Sequence, residues 1–429
     1  MSLGFTISDP PEFCGPSDLA DCVISLRKHQ RAQDKEWGTA PISDEGIRRL
    51  INLAYHTSMV SEEGRFPKFR VVSHRKDDIR TIAECDVTLD SVERLRRIAP
   101  TVSGDHSVAL LVRDDTGPLT CVGLAIVDDM GFSVKPGRPE IVGFGTGPTF
   151  HLRVEGPGQM RCSEAMGPYG AVRLVESGIH QVVPYSLVAG VTNLLKTLAR
   201  HILDRVVETK GEGSQRWFAG HTYPLVEKVL GRTLDEATDL RHGGAFVFLP
   251  TVDRNVDAFD IQCKYPAALN LGRCISEFWC ACVDCAEARD EQARESALQH
   301  WRWKRARLFS SAAGLSGLSA VDGCVVLNHN LDVLGFGGVI GLGESDAKVV
   351  DSPRRLKNAK TGAIHDDSEI ASLGLGTRHR SAFRLCKTHA NSLVFVVSQD
   401  GDLRVFFSDD EFVYGFEHLY AWVNDLDAV

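Results

Sequence analysis

The chain has no uninterrupted apolar run near the roughly 20 residues needed to cross a bilayer. Its opening, MSLGFTISDPPEF, lacks the basic-then-apolar layout of a secretory signal. Both absences predict a cytoplasmic protein with no membrane partner. Positive charge is not in excess either: 48 Lys and Arg stand against 57 Asp and Glu, a formal net charge of -9. A broad electrostatic grip on nucleic acid needs a net basic face, and helix-hairpin-helix signals are missing, so nucleic acid is not expected as a partner. No internal repeat of solenoid period is present. Gly143, Gly145 and Gly147 are not followed by Lys-Ser/Thr or by a strand-to-helix switch, and read as turn glycines rather than a phosphate cradle.

What is present is ordinary globular material, 43% hydrophobic and 24% charged, enough to fold throughout. At 429 residues the chain should hold two or three units. In a reducing compartment the 12 cysteines read as free thiols packed in the core.

Between Pro41 and Asp129 the pattern predicts an α+β unit. It contains a helix (IRRLINLAYH), an extended stretch (FRVVSH), a second helix (LDSVERLRRI) and a hairpin of SVALLV with LTCVGLAIV. From Ile141 to Val183 the expectation is strands only, with hairpins at Gly156-Pro157-Gly158 and Glu176-Ser177-Gly178. After Tyr185 a helix is marked by Leu187, Val188, Val191, Leu194, Leu195, Leu198, Ile202 and Val206 at helical spacing. Lys210-Gly211-Glu212-Gly213-Ser214 is the linker candidate. The division expected is therefore 1–209 as an α+β region, with 1–130 and 131–209 as candidate subdomains, 210–235 as linker and helix, and 236–429 as a carboxy-terminal domain. That last domain alternates strands (GAFVFLP, FDIQCKY, AVDGCVVLN, LDVLGFGGVI, SLVFVVS, DLRVFF) with a long helix at about 269–313 and another at TRHRSAFRLCKTHA. Such interleaving predicts an α/β domain with a mixed sheet flanked by helices.

Two segments carry chemistry. In LGTRHRSAFRLCKTHA, Gly376 and Thr377 precede Arg378, His379 and Arg380 at the start of a helix. A helix N-terminus offers unpaired N–H groups and partial positive charge, and two forked guanidiniums add donors that fit phosphate oxygens. The plainer reading is a solvated first turn, but arginines there oppose the helix dipole, a local conflict expected where function overrides stability. In VDGCVVL, Asp322-Gly323 interrupts a strand-like run, so a carboxylate could meet a divalent metal while ligand approaches bare backbone; a simple turn is the alternative.

Together these segments resemble the diadenylate cyclase domain, whose signatures are an Asp-Gly-Ala turn, a Gly-Thr-Arg-His-Arg helix start and a following strand that ends in Ser. Here they stand as Asp322-Gly323-Cys324, Gly376 to Arg380, and Val397-Ser398-Gln399. RHGGAFVFLP and the CKY that follows are similar to the domain's opening, so the resemblance spans nearly all of 236–429. It implies condensation of two ATP into cyclic di-AMP and pyrophosphate with Mg or Mn. Asp322 would bind the metal and help activate the ribose 3′-hydroxyl. Thr377, Arg378, His379, Arg380 and Ser398 would hold the triphosphate, with Gly376 at the helix tip, while Gly323 and Cys324 line the nucleotide. Because the product has two equivalent links, a homo-oligomer with facing domains is expected. The alternative is a cyclase-like domain, slowed by Cys324 in place of alanine, that binds ATP or cyclic dinucleotide as a sensor. The segments GFGTGPTFHLRVEGPGQ and GAVRLVESGIHQVVPYS look like a DACNV-type sensor domain, which would regulate the output.

Cys274, Cys280, Cys282 and Cys285 fall within one expected helix, which spreads them round its circumference rather than converging them on zinc. The aromatic and basic run ALQHWRWKRARLF reads as a core stripe with snorkelling cations.

Overall fold

The computed structural model describes residues 14–33, 42–61, 64–73, 81–102, 108–114, 117–126, 132–135, 138–141, 149–165, 171–175, 178–214, 218, 220–251, 253, 256–340, 355–358, 362–365 and 376–420. Gly143, Gly145 and Gly147 lie outside these residues. The chain divides into two compact units, Met1–Phe132 with Ile141–Val183 and Asn424–Val429, and Pro184–Val423 with Ser133–Glu140.

Among the described residues, the strands of the first unit pair into an eight-stranded array covered by helices α1 (Pro16–Gln33), α2 (Asp44–Ser58) and α3 (Val92–Ile98). Its strands are β1 (Phe69–Ser73), β2 (Thr81–Thr88), β3 (Val108–Arg113), β4 (Thr120–Ile126), β7 (Thr149–Gly156), β8 (Gln159–Ala165), β9 (Ala171–Val175) and β10 (Gly178–Pro184); β5 (Phe132–Lys135) and β6 (Arg138–Ile141) form a separate ribbon that falls mostly in the second unit. The order is β2-β4-β3-β1-β7-β8-β9-β10, antiparallel except for β1 with β3. The anticipated subdomains 1–130 and 131–209 are not separate here, because β1 bonds β3 on one side and β7 on the other. A strand with both edges paired ties the two segments into one sheet. Ser43 caps α2 by accepting from the Gly46 N–H, and is itself held by Asp114.

Alternation along β1, β7, β8 and β9 separates two faces. Phe69, Val71, Phe150, Leu152, Val154, Met160, Cys162, Val172 and Leu174 join the core under the helices. The opposite positions are Arg70, His151, Arg153, Glu155, Arg161, Ser163 and Arg173, and they too are buried. Glu155 is the carboxylate of this face: Arg173 donates to it at 2.9 Å, and Arg161 pairs with its other oxygen. Removing one member of a buried charge network costs about 3–5 kcal/mol, because the opposite charge stays behind. Glu155→Ala should lower the unfolding free energy by about that amount in urea titration. A loss below about 1 kcal/mol would show that this carboxylate does not balance the arginines.

In the second unit the sheet order is β12-β14-β13-β11-β17-β18-β19-β15-β16. The strands are β11 (Gly244–Phe248), β12 (Ile261–Pro266), β13 (Cys324–Leu327), β14 (Val333–Ile340), β15 (Arg355–Asn358), β16 (Ile364–His365), β17 (Leu393–Val397), β18 (Leu403–Ser408) and β19 (Phe412–Tyr420). Pairs β11–β13 and β15–β19 are parallel and the rest antiparallel, so the sheet is mixed. The helices are α4 (Ala189–Lys210), α5 (Thr222–Leu240), α6 (Leu271–Glu287), α7 (Glu291–Leu318) and α8 (Thr377–Thr388). Strands β11, β13 and β17 are buried along their whole length, as strands covered on both faces must be. One face, with Ala245, Val247, Cys324, Val326, Val394 and Val396, packs on Ala382, Phe383, Leu385 and Cys386 of α8. On the other, Tyr185 meets the Phe395 ring edge-on.

The helix after Tyr185 is present as α4, but it belongs to the second unit and packs against α5 and α6. The boundary expected between 209 and 236 therefore differs from the structure, in which the glycine pair at 211 and 213 makes a turn between packed helices. Gly211 closes α4 at φ 85° and Ser214 is buried. The single helix expected at about 269–313 is two. Asp290 accepts from the Ala293 N–H and starts α7, while α6 ends before Ala288. A capped start fixes the break, which periodicity alone does not reveal. Strands β15 and β19 had no counterpart in the reading of the sequence. Among the described residues no helix is long and apolar enough to cross a membrane.

Candidate functional site

Three strand ends and one helix tip meet at one margin of the second unit's sheet. In the β11–β17 pair Gly244 stands opposite Val397, and in the β11–β13 pair Ala245 stands opposite Cys324. This brings the residues before β11, the turn before β13 and the turn after β17 together. The turn Asp322-Gly323 enters β13 with Gly323 at φ 122°. A Cβ on Gly323 would lie 2.6 Å from the Gly337 carbonyl carbon, so only glycine fits both the conformation and the space.

At the helix tip Gly376 is the N-cap of α8 and makes no side-chain capping bond; no acidic residue sits in the first turn. Arg378 reaches across to the acidic turn, its Nη2 donating to Asp322 Oδ1 at 3.1 Å over a separation of 56 residues. The Asp322 side chain is 88% exposed and that of Arg378 35%. Exposed pairs of this kind are worth about 0–1 kcal/mol, so the contact does little for stability and is cheap to open. Thr377 and Arg380 are exposed on the same first turn.

Two sequence candidates stand less directly at this point. Ser398 donates its hydroxyl to Asp400 and lies 3.1 Å from the Asp402 carbonyl, inside the turn that links β17 to β18. The burial of Asp400 raises its carboxyl, but the hydrogen bonds from Ser398 and the Asp402 N–H outweigh this and leave it below the usual range. Cys324 points its sulfur into the core, 3% exposed, toward the space left by Gly338. A Cβ on Gly338 would sit 2.8 Å from that sulfur. Burial pushes the thiol up to about 12, so it stays protonated at pH 7. The Cys324 sulfur is accommodated by a glycine on the neighbouring strand.

His379 faces inward from the tip. Its Nδ1 lies toward Gly376, its ring stands 6.3 Å from Phe406, and its Nε2 is buried without a hydrogen-bond partner. Burial, and then the charge of Arg404, hold its pKa below the ordinary 6.5 against the opposing pull of Asp402, Glu417 and Asp400. The imidazole is therefore neutral at pH 7.

Other residues here were not named as site candidates from the sequence. Gly243, at φ 69°, has Arg378 Nη1 3.1 Å and Gln399 Cγ 3.3 Å from where its Cβ would be, and a Cβ on Gly244 would strike the Ser319 carbonyl at 2.5 Å. The consecutive glycines were the available signal. Arg404 links Asp402 and Glu417 at 3.2 and 3.3 Å, and His418 contacts Asp402 at 3.2 Å. These positions meet through the pairing of β18 with β19, for which no local pattern exists. Of the four cysteines of α6, Cys274, Cys282 and Cys285 are buried and Cys280 is half-buried. Trp301 is buried on α7, whereas Trp303 is exposed beneath Lys304 and Arg307.

Residues 39–126 match a family model described as the probable sensor domain DACNV. The match covers α2 through β4 of the first unit. It therefore lies on a different segment from 141–183, where the sequence likeness was noted, although β7 to β10 continue the same sheet. The similarity supports a sensor-type amino-terminal part in a regulated signalling protein. No curated protein matches the chain.

Because the folded His379 pKa is depressed, the unfolded state binds its proton first on acidification. Its contribution to stability is present above pH 6.5 and is lost as the pH falls through the folded value. Unfolding titrations should show stability dropping from pH 7 to pH 5, with a shallower drop in His379→Gln. Equal slopes in the two proteins would remove His379 as a source.

Proposed function

We propose that the second unit is a diadenylate cyclase domain, joining two ATP molecules into cyclic di-AMP and releasing pyrophosphate, with the sensor-type first unit regulating it. The observation that carries this reading is the Arg378–Asp322 contact. Two segments 56 residues apart, one suited to phosphate and one to a cation, touch at an exposed point where their mutual attraction is weak enough to be exchanged for a ligand.

The donor set fits Mg or Mn in the way such ions accompany nucleotides, through one carboxylate and phosphate oxygens rather than an all-protein cage. Among the described residues no group of three or more His, Cys, Asp or Glu could hold a metal alone, and Asp322 is the exposed carboxylate at the turn. When bound, the cation supplies charge neutralisation on the triphosphate and at the attacking oxygen. Arg378 leaves Asp322 for the phosphates, and Arg380 with the uncapped N–H groups of α8 adds further donors. Gly243 leaves room beside the Arg378 guanidinium, and Gly323 lets the acidic turn pack against the backbone of Gly337 and Gly338. His379, neutral and enclosed, stiffens the helix start. Ser398 reaches phosphate only by giving up Asp400, which makes it a residue that changes partners on binding. The reaction is in-line attack of one 3′-hydroxyl on the other nucleotide's α-phosphorus. Positioning and charge stabilisation suffice, and a second copy of the chain presents the second ATP.

Purified protein given ATP with Mg or Mn should form cyclic di-AMP. Asp322→Asn should abolish product while leaving circular dichroism and thermal unfolding unchanged. Nucleotide binding without product in the wild-type protein would favour a cyclase-like sensor that has lost turnover. By isothermal titration, Arg378→Ala combined with Arg380→Ala should weaken ATP binding at least about tenfold, the loss of one or two charge-assisted contacts. Unchanged affinity would take both arginines out of the phosphate site.

A further inference from the structure

Strand β2 lies at the margin of the first unit's sheet, and its residues from Thr81 to Asp86 are exposed. Its pairing with β4 is irregular: Glu84 stands opposite Gly123 and Val87 opposite Cys121, so β2 spends three steps where β4 spends two. That is a β-bulge, which places one extra residue and re-aims the side chains beside it. The bulge turns Cys85 onto Cys121. Their sulfurs are 3.6 Å apart, and Cys85 Sγ is also 3.4 Å from the Cys121 carbonyl. The backbones are pressed together nearby, since a Cβ on Gly123 would meet the Ala83 carbonyl at 2.6 Å.

The two thiols differ in access. Cys85 is exposed, whereas Cys121 is 1% exposed and belongs to the hydrophobic core. Burial, and then the neighbouring Cys85, push the Cys121 thiol up to about 12. An oxidant in solution therefore meets Cys85 first, with a second sulfur already behind it. Forming a bond requires the sulfurs to close from 3.6 Å to about 2.05 Å, a movement that an edge strand with a bulge can make more easily than a strand paired on both sides.

We propose that Cys85 and Cys121 form a peroxide-responsive dithiol, Cys85 taking the first oxidation and Cys121 closing a disulfide that staples β2 to β4. In the first step the Cys85 thiolate attacks one oxygen of hydrogen peroxide. The O–O bond breaks, sulfenic acid forms, and the departing hydroxide takes a proton as water. In the second, the Cys121 sulfur attacks the Cys85 sulfur and expels hydroxide, which takes the Cys121 proton and leaves as a second water. Two thiols lose two hydrogens and two electrons, and one peroxide becomes two waters. The bond would lie inside 39–126, the segment that matches the sensor model, and would fix an exposed strand at the sheet's edge. This inference does not depend on the cyclase reading.

The test uses the full chain, treated with hydrogen peroxide, alkylated under denaturing conditions and digested for mass spectrometry. The expected product is a linked peptide pair joining Cys85 to Cys121, cleaved by dithiothreitol and absent from Cys85→Ser. Amide exchange in 81–88 should slow by about tenfold or more in oxidised wild-type protein, and not in the treated variant. Cys85 recovered as sulfinic acid with Cys121 still alkylated would overturn the proposal, as would Cys121 linked to a different cysteine. Should Cys85→Ser not fold, the linked pair in wild-type protein still decides the chemistry.

Discussion

The pairing of β11 with β13 on one side and β17 on the other organises the second unit. A parallel neighbour contributes its amino-terminal end to the margin where β11 begins, and an antiparallel neighbour contributes its carboxy-terminal end. Hence Gly243, Asp322-Gly323 and the Ser398 turn lie side by side though they are spread over some 155 residues of chain. Helix α8 runs into β17 through a short turn and packs on the same sheet, so its basic start comes to rest beside them. The approach of Arg378 to Asp322 depends on that three-strand register.

Glycine and charge do different work in the two units. At the site, Gly243, Gly244 and Gly323 give up side chains so that neighbouring groups approach closely, while Asp322 and Arg378 remain exposed and weakly bound to each other. On the second face of the first unit's sheet, arginines are buried around Glu155. Desolvated charges there must be held by geometry, and they commit the sheet to one arrangement. The exposed pair is free to exchange partners; the buried network is not.

Much of the secondary structure was legible. Hairpins β3–β4, β7–β8 and β9–β10 were marked by turn residues between β-rich runs, and α2, α4 and α8 by apolar periodicity. The break between α6 and α7 was hidden because the apolar pattern runs on through a cap that depends on one aspartate. The short β15 and the irregular β19 carry too little alternation to stand out. The segment 141–183, outside the stretch that matches the sensor model, continues the same sheet through the pairing of β1 with β7.

By itself the sequence determined the local features: a basic helix start that opposes its own dipole, an acidic turn before a strand, glycines where backbones must come close. These are properties of a few neighbouring residues and follow from chain geometry. Only the tertiary structure decided that Arg378 meets Asp322, that Cys324 turns its sulfur away to the core, that His379 is enclosed beside Arg404, and that a bulge sets Cys85 on Cys121. Each of these depends on strand pairing, where a shift of one residue moves a strand's side chains to the opposite face.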